Sequence, residues 1–144
     1  MSTHGFLGPP GTFAEEALIA MGNGAGRRAY ASIGDCFAAV SAGEVDEALV
    51  PIENSIEGSV NQTLDELARA AGAVVIRGET IHPVHHNLIG RPGQALAGAE
   101  RVISHPQAVA QCRGYLREHL PGAQLDAANS TADAVRRVSE SSEP

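Results

Sequence analysis

The chain contains no lysine: its ten basic residues are all arginine, set against 17 aspartates and glutamates, for a formal net charge of −7. Without lysine there is no Schiff-base nucleophile. Without a basic stripe nothing displaces counterions from nucleic acid, so nucleic acid is not an expected partner. No run of 18 apolar residues occurs, so the sequence predicts no membrane span and no membrane partner. The first eight residues, MSTHGFLG, lack the positive flank and long apolar stretch of a secretory signal. Only two cysteines occur, Cys36 and Cys112. They stand alone, without metal-type spacing, and read as reduced core residues of a cytoplasmic protein. The glycine loop GPPG at 8–11 is too short, and lacks the following lysine, to be a P-loop or a dinucleotide fingerprint. An anionic ligand would be repelled by the field of the whole protein, so its binding must rely on local donors and helix ends.

What is present is an alternation of short apolar runs with helical stretches, the pattern of an α/β sheet. Strands are predicted at 3–7, 29–32, 48–52, 101–104 and 124–128. Extended segments are predicted at 73–76 and 80–89. Helices are predicted from Thr12 to about Met21, from Ser32 to Ser41, from Ser59 to Ala71, from Pro106 or Gln107 to Leu120, and after Asn129 or Ser130. Thr12 and Glu15 have the spacing of a capping box, and Ser32 the position of an N-cap. A polar tail is predicted over 139–144. The pattern stops after a helix, without the parallel strand that a right-handed crossover would place beside 124–128, so the sequence reads as incomplete at its C-terminal end.

Four junctions share one grammar of strand, small polar turn and helix start: 8–12, 53–59, 104–107 and 129–131. Unpaired N–H groups and the dipole at a helix start favour an anion, and an open α/β sheet places its ligand at the carboxyl ends of its strands. The polar set Glu53, Asn54 and Ser55 is the richest of these, with Gly58 expected to let a ligand approach the backbone. Each cap taken singly is better explained as local structure; four at one end of a sheet favour a ligand site. His82, His85 and His86 resemble a metal cluster, but a strand over 80–89 would put His85 on the opposite face from the other two. No metal is therefore expected, and hydrogen-bonded histidines on a half-exposed strand are the default. Ser104 and His105 are adjacent on an extended segment and point apart, which excludes a serine nucleophile with its base. Gln107 and Gln111 lie four residues apart on one helix face.

Together these residues resemble the prephenate dehydratase family. The matching motifs are GFLGPPGTF at 5–13, VPIENSIEGSV at 50–60, SHPQAVAQC at 104–112 and STA at 130–132. The second is the most specific, and the four occur in the family's order along the whole chain. The resemblance implies an α/β catalytic region of two lobes, like type II periplasmic binding proteins, with residues 1–78 in the first and 79–144 in the second. It implies a lyase of L-phenylalanine biosynthesis that converts prephenate to phenylpyruvate by decarboxylative dehydration, without metal or organic cofactor. By matching position, Asn54, Ser104 and Gln111 would be catalytic. Thr12, Glu53, Ser55, His105, Ser130 and Thr131 would line the substrate cleft. No group is assigned as the acid, and prephenate is not distinguished from arogenate.

The family's Thr-Arg-Phe motif and its phenylalanine-binding ACT domain are absent from this sequence. The expectation is therefore an N-terminal part of such an enzyme, inactive on its own, from a full-length protein that forms homo-oligomers. The competing reading is a non-enzymatic two-lobed module that binds a small carboxylate.

Overall fold

A computed structural model describes residues 2–22, 26–56 and 58–141. The chain is a mixed α/β fold with parallel sheets, and it divides into two compact units between Pro83 and Val84. Glu57 and the tail from 142 onward lie outside the described residues.

In the first unit, β1 (His4–Leu7) is the central strand, flanked by β2 (Arg27–Tyr30) and β3 (Glu47–Leu49), all parallel. Phe6, 2% exposed, packs in a core with Leu18 of α1 (Phe13–Ala20), Ile33, Cys36, Phe37 and Ala39 of α2 (Ile33–Ser41), and Val45. Gly5 admits the Tyr30 ring, which would lie 3.0 Å from a Cβ placed there. Cys36 is fully buried, and desolvation raises its thiol pKa to about 11, so it packs as an inert apolar group. Below β3 the Thr3 N–H donates to Asp46 Oδ2 at 2.7 Å, which lowers that carboxyl's pKa.

Several predicted boundaries move. The third strand ends at Leu49 rather than Ile52 and is half-buried rather than covered on both faces, because Pro51 has no N–H to continue the ladder. Residues 53–59 form no helix start; β4 (Glu53–Asn54) and β5 (Gly58–Ser59) pair antiparallel as a small hairpin. The following helix, α3 (Asn61–Arg69), is anchored instead by the buried Thr63 hydroxyl, which donates to the Pro51 carbonyl at 2.6 Å. The segments 73–76 and 80–89 enter no ladder among the described residues beyond one isolated bridge, Ala71 to Val74. Most of their apolar side chains stay exposed, Ile81 at 97%. An extended, apolar run becomes a strand only where a neighbour pairs with its backbone.

In the second unit, β6 (Arg101–Ser104) and β7 (Gln124–Ala127) pair parallel. A turn at Cys112 divides the predicted long helix into α4 (Pro106–Gln111) and α5 (Arg113–His119). Val102, Leu116 and Leu120 form the core, with Val109, Cys112 and Ala123 against it. The last helix, α6 (Thr131–Glu140), extends into the region expected to be a polar tail.

Candidate functional site

The four junctions expected at one end of a sheet are divided between two sheets: 8–12 and 53–59 follow strands of the first unit, 104–107 and 129–131 strands of the second. In the first, β1 leaves the sheet at Leu7 and the loop 8–11 turns tightly against β2: the Gly8 N–H donates to the Tyr30 carbonyl at 2.8 Å, and a Cβ at Gly8 would sit 3.0 Å from that of Ala29. Thr12 occupies the N-cap of α1, but its hydroxyl does not cap. It donates to the Leu7 carbonyl at 3.1 Å, pulling the helix start onto the strand end. The expected capping box is displaced by one residue, since Glu15 reaches back to the Gly11 N–H at 2.7 Å and also accepts from Arg27 Nε at 3.2 Å. Glu15 thus ties the loop to the start of β2.

The hairpin carries Glu53, Asn54 and Ser55. Glu53 and Ser55 are exposed and Asn54 is half-buried, as alternation along a strand requires. Asn54 Oδ1 accepts from the Ile56 N–H at 3.1 Å, an Asx turn that fixes the side chain at the hairpin tip. Gly58 pairs with Asn54 at φ +81°, a conformation that favours glycine, and nothing lies within 4 Å of its Cβ position.

In the second unit, the register Ser104 to Ala127, closed by Ala128 N–H to the Ser104 carbonyl at 2.9 Å, sets the motifs SHPQ and STA side by side. His105 is the N-cap of α4, its Nδ1 accepting from the Gln107 N–H at 3.3 Å, with Pro106 at the first helical position. An Nδ1 that accepts places the ring proton on Nε2. Ser130 caps α6, its Oγ accepting from the Asp133 N–H at 2.9 Å, and Thr131 is the first helical residue. Asp133, held by Arg136 at 2.5 Å, has its carboxyl pKa lowered by that bond.

Gln111 stands at the far end of α4, and its Oε1 meets His86 Nε2 at 2.8 Å. Sequence reasoning missed this partner, because no local pattern links an extended segment to a helix 25 residues on. The His105 cap was legible in principle, since a proline at the first helical position marks the residue before it as the cap. The three neighbouring histidines separate: His82 lies 3.4 Å from Glu16 Oε2 and beside Phe13, His86 meets Gln111, and His85 is exposed. Among the described residues no group of three or more His, Cys, Asp or Glu is placed to hold a metal ion. A hollow of about 480 Å³ lined by Ala97, Glu100, His119 and Gln124 lies at the amino ends of β6 and β7, away from the motif residues.

The sequence matches the family model "PDT: Prephenate dehydratase" over residues 4–144. The chain belongs to the prephenate dehydratase family. It is 41% identical to the prephenate dehydratase of Bacillus subtilis (strain 168) over 94% of its length, and covers 48% of that relative. Among solved structures, it is similar to a prephenate dehydratase from Arthrobacter aurescens in complex with L-Phe, at TM-score 0.75 and 36% identity, covering 97% of this chain and 46% of that one. It is also similar to GqqA, described as a novel type of quorum quenching acylase, at TM-score 0.80 and 33% identity, covering 96% of this chain and 49% of that one. The chain spans between 36% and 51% of the length of the relatives and solved chains it matches. Among the described residues, no helix is long and apolar enough to cross a membrane.

Proposed function

We propose that this chain contributes a large part of a catalytic site that converts prephenate to phenylpyruvate. The supporting observation is the pairing of Ser104 with Ala127, which brings SHPQ and STA to one sheet edge although they are distant in sequence. Prephenate is a dianion. In the reaction its ring C–C bond to the carboxylate breaks, that electron pair enters the ring, and the ring hydroxyl leaves with a proton. One prephenate and one proton give phenylpyruvate, carbon dioxide and water. The enzyme's task is to orient two carboxylates, hydrogen-bond the departing oxygen and hold the leaving carboxylate away from water.

The side chains suit that task without lysine or metal. Asn54, Ser104 and Gln111 supply amide and hydroxyl donors. Thr12, Ser55, Ser130 and Thr131 place hydroxyls at the sheet edges. His105, bonded through Nδ1, offers its Nε2–H as a neutral donor. Glu53 is an exposed carboxylate and is the member least suited to touch a dianion directly, because like charges repel. The two units correspond in this reading to the lobes of a type II periplasmic-binding-protein-like region. The enzyme works in the cytoplasm as a homo-oligomer, and the unbridged Cys36 and Cys112 fit a reducing compartment.

Calorimetric titration of the chain with prephenate tests this reading. The expected result is one site per chain, weakened at least about tenfold by Asn54→Ala, Ser104→Ala or Gln111→Ala, the loss of one charge-assisted hydrogen bond. Absence of binding, or binding indifferent to all three, would contradict it. Hydrolysis of an acyl amide in the same preparation would move the reading toward the acylase activity named for GqqA.

A further inference from the structure

The Gln111 side chain is long and has three rotatable bonds, so a ligand that used its amide would have to freeze it on binding. In the second unit it is already frozen. Its Oε1 lies 2.8 Å from His86 Nε2, and both side chains are half-buried. A carbonyl oxygen only accepts, so the imidazole must donate from Nε2, and both the neutral Nε2–H tautomer and the imidazolium do so. With the oxygen end committed to His86, the NH2 end is the part of Gln111 that faces other partners. We infer that His86 is a positioning residue: it holds Gln111 with its amide N–H groups toward the substrate, so that a carboxylate or departing oxygen meets a donor rather than the repelling carbonyl.

This inference rests on the proposal that Gln111 serves the ligand. The contact has a second effect, which the test must separate from the first. Among the described residues the segment from Val84 to Arg91 forms no ladder, and it is tied to the rest of the second unit by His86 and by Arg91, whose Nη1 donates to the Ser141 carbonyl at 3.2 Å. If His86 served only to pin the segment, its loss would loosen residues 84–91 and leave ligand binding alone. If it positions Gln111, a side chain that restores the donor at the same reach should restore binding. Glutamine is that side chain, since its terminal N–H lies about where Nε2 of the imidazole does, whereas leucine fills the space without a donor.

Two readouts decide between these. The first is the Gln111 side-chain amide in a proton–nitrogen NMR spectrum of the 144-residue chain, assigned by its disappearance in Gln111→Ala. It should be dispersed in wild type, collapse toward the free-glutamine position in His86→Leu, and return in His86→Gln. The second is prephenate affinity: Gln111→Ala should weaken it at least about tenfold, His86→Leu by about three- to tenfold, and His86→Gln should come within about twofold of wild type. Gln111 resonances identical in wild type and His86→Leu would overturn the inference whatever the ligand does. So would unchanged affinity in His86→Leu while Gln111→Ala loses tenfold, an outcome that leaves the site reading intact. Unchanged affinity in Gln111→Ala would instead overturn the site reading, and with it any positioning role. The dispersion of backbone resonances in His86→Gln reports whether the fold survives the change.

Discussion

The first unit buries Phe6, Leu18, Ile33, Cys36 and Phe37 between a three-stranded parallel sheet and its helices, whereas the second has two strands and a core of Val102, Leu116 and Leu120. Both place polar turns after strands of a parallel sheet, but of the four candidate junctions side-chain caps follow only at His105 and Ser130, in the second unit. They differ also in what holds the side chains at these edges. In the first unit the edge residues are held mainly by bonds to nearby backbone: the Gly8 N–H on the Tyr30 carbonyl, the Thr12 hydroxyl on that of Leu7, the Glu15 carboxylate on the Gly11 N–H, and the Asx turn at Asn54. In the second the His105 and Ser130 caps bond nearby backbone in the same way, and the His86–Gln111 bond adds a contact between two side chains 25 residues apart. A two-stranded sheet supplies too little core for packing to fix its edge, so that side-chain bond carries part of the work there.

The largest effects should come from the cores. Phe6→Ala is expected to cost about 3–5 kcal/mol and Leu116→Ala about 2–5 kcal/mol, each removing hydrogen-exchange protection first in its own unit. Simultaneous loss in both units from either substitution would break the comparison. Next come the caps. Ser32→Ala and Ser130→Ala, each removing a real side-chain cap, should cost about 1 kcal/mol in urea melts. Thr12→Ala should cost less, because the Thr12 hydroxyl bonds Leu7 rather than the helix. Gly58→Ala forces a non-glycine residue to positive φ and should destabilise by about 1 kcal/mol, read as selective loss of the hairpin.

The smallest effect is in acid. Bonds to Thr3, Arg101 and Arg136 respectively hold the carboxyls of Asp46, Asp126 and Asp133 below their ordinary 3.8. A carboxyl whose folded pKa is depressed adds stability above its unfolded value, and loses it as pH falls through the folded one. The stability of the wild type should therefore decline below about pH 4. Two of the three carboxyls lie in the second unit, so its amides should lose protection first, and Asp126→Asn should flatten that decline.

Much of the architecture was legible in the sequence because it is locally written. The strands at 3–7 and 101–104, the caps Ser32 and Ser130, and the proline-led helix at Pro106 each follow from neighbouring residues. What was not legible depended on partners. Residues 80–89 have the composition of a strand but join no ladder among the described residues. Residues 53–59 looked like a helix entry because polar residues followed an apolar run, yet Pro51 and Gly58 fold them into a hairpin. Glu15 found Gly11 and Arg27 instead of Thr12. Of the candidate site residues, Ser104, His105, Ser130 and Thr131 come together at one sheet edge, whereas the shared grammar had placed all four junctions at the end of a single sheet. His86 was invisible as a partner of Gln111, since a side-chain bond between distant segments leaves no periodic trace.

The most direct test of the central claim replaces the matching part of the Bacillus subtilis prephenate dehydratase with residues 4–144 of this chain and measures phenylpyruvate formation. The account predicts a chimera that turns over within about tenfold of its parent and falls by at least about a hundredfold on Asn54→Ala or Gln111→Ala, the usual scale for a lost transition-state donor. A folded chimera without activity, or one whose activity ignores both substitutions, would contradict it.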